Sequence, residues 1–272
     1  TNSVPCGAFR GFGAPQAIWG IESHIDAIAA RLGRAPHEYR LQIHARPGDH
    51  TPTGQLLSAE NGSTACLQLA LKRADFARKL KRASRGRLRK GQQKLYGVGL
   101  AFFAHGSAFT GDGEAKFKAK GRVELALLDN GRPGVNIRVS STEMGQGVHT
   151  IFTQIAADAL ALDPAFIRYP MADTKFVPNS GPTVASRTTM VVGNVVHRAA
   201  LDLKGQIEAF ASLRFFKGAK AELRASQLVA KGARPVPFAK VAKTMLAEIG
   251  PASGFFQFVL PDSIRWDQVN FK

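Results

Sequence analysis

The sequence predicts an α+β fold, on three observations. Apolar residues recur at helical spacing near residues 18–32 and 151–160, β-rich runs occupy 94–104, 122–128 and 134–140, and no regular strand–helix alternation builds a doubly wound parallel sheet. At 272 residues and 44% hydrophobic content, the chain can form one large domain or two modest ones with real cores. The pattern changes after a basic run, so the expected segments are residues 1–93 and 94–272.

Taken in order, Ile18, Ile21, Ile25, Ile28, Ala29 and Leu32 mark a first helix, with Gly33 as its C-terminal stop. Pro36 opens a second helix that runs to the turn Arg46-Pro47-Gly48-Asp49, and 49–62 reads as loop. A helix is expected from Ser63 to about Arg85 and a strand from Lys94 to Ala104. Two more strands, Arg122–Leu128 and Gly134–Ser140, flank Asp129-Asn130-Gly131, whose Asn-Gly step is a hairpin signal. The turn Glu143-Met144-Gly145-Gln146-Gly147 leads into a helix through Ile151, Ile155 and Leu160, and Asp163-Pro164 stops it. Phe166 to Met171 reads as a strand, and the loop Val177-Pro178-Asn179-Ser180-Gly181-Pro182 precedes a long helix. Short helices are expected at Ala221–Leu228 and Phe238–Ile249.

Two of these helices begin where a ligand anion is favoured, because a helix N-terminus presents unpaired N–H groups and positive dipole potential. One follows the glycine turn at Gly145 and Gly147; the other follows Thr183–Thr189, whose hydroxyls can cap the helix or bond a phosphate. Net charge is +17, concentrated in eleven basic side chains between Lys72 and Lys94 against the single acid Asp75. With one aromatic, Phe76, and no helix-turn-helix, RRM or KH pattern, this run reads as a solvated face or a surface for an acidic neighbour; nucleic acid is disfavoured. Cys6 and Cys66 are too few for a disulfide framework, and no apolar run approaches the ~20 residues of a membrane helix. A cytoplasmic setting is expected. The first residue is not methionine, which points to a longer polypeptide.

Four stretches resemble, in order, the signatures of the molybdopterin-binding subunit of the xanthine dehydrogenase and aldehyde oxidase family of molybdenum hydroxylases. Gly7-Ala8-Phe9-Arg10-Gly11-Phe12-Gly13-Ala14-Pro15-Gln16 is similar to its AFRGFG-x-PQ motif, and Ser107-Ala108-Phe109-Thr110 to its SFT substrate-pocket segment. Thr142–Thr150 is similar to TEMGQG-x-HT, and Val177–Ser186 to the VPNS-x-PT-x-AS pterin loop. The resemblance implies a molybdenum-molybdopterin cofactor, in the simpler or the cytosine dinucleotide form, with no metal ligand from the protein. It implies hydroxylation of an N-heterocycle, purine or aldehyde with water as oxygen source, and electron transfer through 2Fe-2S clusters to FAD on other subunits or domains. By the same resemblance, Arg10 and Gly11 lie beside the metal centre, and Phe12, Phe109 and Thr110 form the substrate pocket. Gly145, Gln146, Gly147, Ala185, Ser186, Thr188 and Thr189 match cofactor-contacting positions.

The sequence also departs from the family pattern. The family's catalytic glutamate, in a Gly-Glu-Pro-like segment, has no match; Glu248-Ile249-Gly250-Pro251 fits neither its order nor its position. The glutamine stretch that precedes the arginine motif is also absent, so the catalytic residue is unknown and the chain alone is expected to be inactive. Its partners would be the remaining segments of the molybdenum subunit, the iron–sulfur and flavin subunits or domains, and a small-molecule substrate. Two alternatives stay open: an inactive scaffold of the same fold, and a basic nucleic-acid-binding protein.

Overall fold

The structure, a computed structural model, describes residues 2, 7, 9–84, 94–109, 111–264, 266–267 and 269. Thr110, Cys6 and the basic side chains Arg85, Arg87, Arg89 and Lys90 lie outside the described residues. Two compact units are present, Thr1–His105 with Trp266–Lys272, and Gly106–Arg265.

In the first unit, Pro15 begins α1 (Ala14–Arg31), and Gly33 at φ 64 closes it through its N–H to the Ala30 carbonyl. Pro36 begins α2 (Pro36–Ile43). Arg40, 1% exposed, joins the two helices: Nε donates to Glu22 at 2.9 Å and Nη1 to Asp26 at 2.6 Å. The helix expected from Ser63 is broken into α3 (Ser63–Arg73) and α4 (Phe76–Ser84) by Asp75 at φ 48. Aspartate tolerates that left-handed conformation, and its carboxylate pairs locally with Arg78. The strand expected at 94–104 does not form: among the described residues it has no ladder partner, and the Phe102 N–H donates to Glu22 instead, at 2.7 Å. β-propensity measures fit to a sheet, and strand composition alone does not make a strand where no ladder forms.

The second unit begins with α5 (Gly113–Phe117), then β1 (Lys120–Leu127) and β2 (Pro133–Arg138). These two strands pair antiparallel through a turn in which Gly131 takes φ 73, the residue the Asn-Gly signal supplies. α6 (Val148–Leu160) crosses to β3 (Ile167–Arg168), which pairs parallel with β2; the strand expected over 166–171 is cut to these two residues by a 3-10 turn at Pro164–Phe166. A π-helical turn, Thr188–Val192, leads into α7 (Gly193–Phe215). β4 (Ala221–Arg224), β5 (Gln227–Ala230) and β6 (Val236–Pro237) form a small sheet, followed by α8 (Phe238–Glu248) and β7 (Ser253–Gln257).

The helix expected at 221–228 is therefore a β-hairpin. Ala221 and Leu223 are buried while Glu222 and Arg224 face out, a period of two, and Ala225 and Ser226 both take positive φ in its turn. Alanine, glutamate and leucine favour helix locally, but burial of alternate residues decides here. The main sheet has the order β3-β2-β1-β7, and α7 buries Val195, Val196, Ala199, Leu203 and Ile207 in the same core as Val123, Leu125 and Ile137 of the sheet. The fold is α+β, as expected. Among the described residues no helix is long and apolar enough to cross a membrane.

Candidate cofactor-binding site

Three polar loops of the second unit meet where β1 begins and β2 ends. Ser140 and Ser180 exchange hydrogen bonds, each backbone N–H donating to the other's Oγ at 2.9 Å, and the Ser180 hydroxyl donates to the Lys120 carbonyl at 2.7 Å. The Thr142 N–H donates to Thr183 Oγ1 at 3.0 Å, and the Ala108 N–H to the Ala185 carbonyl at 2.8 Å. Segments 107–109, 140–149 and 177–189, far apart in sequence, are thus one hydrogen-bonded assembly.

In the middle loop the glycine turn closes on itself. The Glu143 carboxylate accepts N–H groups from Gly145 at 2.7 Å, Gly147 at 3.0 Å and His149 at 3.3 Å, so it fills the N-terminus of α6 that the sequence reads as an anion cradle. Partial desolvation pushes the Glu143 carboxyl up, but the N–H groups of Gly147, His149, Gly145 and Val148 outweigh it and hold the group below its ordinary value. Gln146 braces the same loop, its amide N donating to the Thr142 carbonyl at 2.7 Å and its amide O accepting the Met144 N–H. Gly145 and Gly147 both take positive φ, and the space where a side chain would begin at either is open. This loop presents free volume and a fixed carboxylate, which suits a neutral hydrogen-bonding ring better than a second anion. Below it, the Tyr169 hydroxyl donates to the Ser141 carbonyl; burial, and then the Glu143 charge, push its pKa up to about 12.

The third loop differs. Ala185 and Ser186 take φ 54 and 53, consecutive left-handed residues without the freedom of glycine. Among the described residues, the hydroxyls of Ser186, Thr188 and Thr189 have no protein partner, and no side chain caps the helical turn that starts at Thr188. These are open hydroxyls at a helix start, where an anion is favoured. Beneath them Arg187, 0% exposed, donates from Nε to both oxygens of Glu114 at 3.0 and 3.1 Å and from Nη1 to the carbonyls of Ser180 and Pro182 at 2.9 and 3.0 Å. The Phe109 N–H donates to the same Glu114 at 3.3 Å, and the Phe109 ring lies 4.9 Å from that of Phe117.

In the first unit, Arg10 and Phe12 are exposed, Phe12 at 81% and at φ 48, so Phe12 is no core side chain. Gly11 and Gly13 turn the chain into α1, and a cavity of about 540 Å³ lies there, lined by Gly11, Pro15, Ile18, Trp19, Leu100 and Phe103 among others. Among the described residues no group of three or more His, Cys, Asp or Glu side chains is placed to hold a metal ion. The sequence reading missed Glu114 and Arg187. The one available signal was an arginine between a polar loop and an apolar helix, and nothing in the sequence pairs it with a glutamate 73 positions earlier.

A family model described as a molybdopterin cofactor-binding domain matches residues 69–270, and a second model of the same description matches residues 1–43. The chain is 32% identical to the xanthine dehydrogenase molybdenum-binding subunit of Escherichia coli O157:H7, over 80% of this chain and 28% of that one. It is 31% identical to an aldehyde oxidoreductase of Megalodesulfovibrio gigas, over 75% of this chain and 21% of that one. Quinoline 2-oxidoreductase from Pseudomonas putida 86 shares the fold, with a TM-score of 0.73 at 21% identity over 94% of this chain and 34% of that chain. The chain therefore spans under a third of the length of the two curated relatives and about a third of the solved structure. With the family model covering most of its length and three of the motif loops joined within the second unit, the chain belongs to the molybdopterin cofactor-binding domain family.

Proposed function

We propose that this chain is part of the catalytic subunit of a molybdenum hydroxylase that oxidises an N-heterocycle, purine or aldehyde with water as oxygen source. The observation that carries this reading is the convergence of the 107–109, 140–149 and 177–189 loops on one end of the sheet, with open donors on one loop and open volume on another. Both features fit a pterin that carries its own metal and a phosphate. Bound there, the cofactor would supply the redox chemistry of the hydroxylation.

The protein's part is binding and orientation. Ser186, Thr188 and Thr189 would hold the phosphate, while Gly145, Gln146 and Gly147 would line the ring. Ala185, small and held left-handed, would let the ring system approach the backbone. Arg10 and Gly11 would stabilise negative charge near the metal, and Phe12, Phe109 and Thr110 would flank a flat substrate. The domain reading places the first motif in a segment over 1–93 and the others in 94–272. Proton abstraction is assigned to no residue of this chain; a base in the remaining part of the subunit would provide it. That part, together with iron–sulfur and flavin subunits or domains, forms the expected set of partners, and the cytosine dinucleotide form is one of two candidate cofactors.

Turnover of the purified native assembly in oxygen-18 water tests the reading. Incorporation of the heavy oxygen into a hydroxylated heterocycle or a carboxylic acid supports it, and label arriving only from molecular oxygen contradicts it.

A further inference from the structure

We infer that the Glu114–Arg187 ion pair is a positioning device that fixes Phe109 against the 180–186 loop, coupling the two loops. The inference rests on the proposed placement of Phe109 beside substrate. One carboxylate accepts the Phe109 N–H, while one guanidinium gathers the Ser180 and Pro182 carbonyls, so the Glu114–Arg187 pair joins the loops beside the Ala108–Ala185 backbone bond. A second path runs in parallel: the guanidinium carbon lies 5.6 Å from the centre of the Phe117 ring, which in turn packs on Phe109. Gly181 leaves the space the guanidinium occupies, since a Cβ there would lie 3.0 Å from Nη1.

The pair is a costly way to hold a core together. Both side chains are withdrawn from water, at 0% and 4% exposure, and Arg187 Nη2 is buried with no hydrogen-bond acceptor among the described residues. An apolar pair of similar volume is often as stable or more so, which makes fixed geometry the gain to look for. That geometry is delivered beside strained backbone: Ala185 and Ser186, immediately before Arg187, are both left-handed, and the Ala185 carbonyl accepts the N–H of Ala108, the neighbour of Phe109. Loosening the pair frees both ends of this bridge together.

The test uses the complete native assembly with Glu114→Gln, Arg187→Lys and the double variant Glu114→Leu with Arg187→Met, which removes both charges and keeps the volume. Amide hydrogen exchange is read alongside kcat, KM and molybdenum content. Glu114→Gln is expected to speed exchange by about tenfold across 180–187, and Arg187→Lys to do the same at Phe109, each in the loop that does not carry the change. KM for an aromatic substrate is expected to rise about tenfold with molybdenum content unchanged, a modest share of the ~10²-fold that a 1 Å misplacement costs. The double variant is expected to fold and to show the same loosening, which keeps the test decisive if a single variant does not accumulate. Exchange confined to the mutated loop, exchange raised equally through β1 and β2, or a double variant with wild-type KM and exchange would each overturn the inference. Coupled exchange with an unchanged KM would support the tie and remove Phe109 from the substrate site. A wild-type assembly without molybdenum would sink the hydroxylase reading, and the exchange data would still decide the coupling.

Discussion

Glu143 carries the local electrostatics of the glycine turn. Its carboxyl is held below its ordinary value, so its contribution to stability is present at neutral pH and lost as pH falls through the folded value. Replacement by glutamine should therefore speed amide exchange at Gly145, Gly147 and His149 at pH 7, and the gap between variant and wild type should close as the solution is acidified below the usual carboxylate range. Tyr169 has the opposite sign: with its pKa pushed up to about 12, the phenol stays protonated where the unfolded chain has begun to ionise, and the stability it gives is lost as pH rises from about 10 to about 12. A difference titration of wild type against Tyr169→Phe should show its phenolate absorbance only near the upper end of that window; ionisation near pH 10 would contradict the burial. Residue types at the site were legible because glycine, serine and threonine cluster in the motif loops. Which donors are already occupied was not legible, since Glu143 reads equally as a ligand-facing acid and as the acid that closes its own turn.

At the scale of elements, the sheet is held to α7 by an absence of side chain. A Cβ on Gly254 in β7 would lie 2.0 Å from the Ala199 carbonyl and 2.6 Å from the Leu203 N, both backbone atoms of α7 that cannot give way. Gly254→Ala should cost about 3 kcal/mol or more, at the upper end of overpacking effects. Gly131→Ala meets open space and only a positive φ, for about 1–2 kcal/mol. Urea unfolding should rank the two in that order, and equal effects would contradict the packing of β7 on α7. The helix α6 and the β1–β2 hairpin were readable because local pattern and burial agree in them, and α1 because its apolar period and its glycine stop are strong although most of its apolar stripe is not buried. The β4–β5 hairpin and β7 were not, because helix-favouring residues in the first and a glycine in the second take their conformation from α7 and β1. The segment 94–104 fails for the complementary reason: it has strand composition without a ladder partner among the described residues.

At the scale of the whole molecule, the two units are unequally provided with core. Among the described residues, the buried apolar side chains of the first unit are Ala29, Leu67 and Phe76, while Trp19, Ile21 and Leu32 of α1 are exposed. So little buried area gives a unit of this size little hydrophobic stabilisation of its own. Consistent with the proposed partners, Trp19 emission should shift to the blue when the chain is assembled with the rest of the subunit, and a Trp19→Phe control should abolish the shift; emission unchanged on assembly would leave that face without a partner. The central claim is that these loops hold a molybdenum-bearing pterin. Its most direct test is the molybdenum and pterin content of the native purified assembly, with every chain identified by mass. The account predicts about one of each per copy of this chain; an intact assembly containing neither would contradict it.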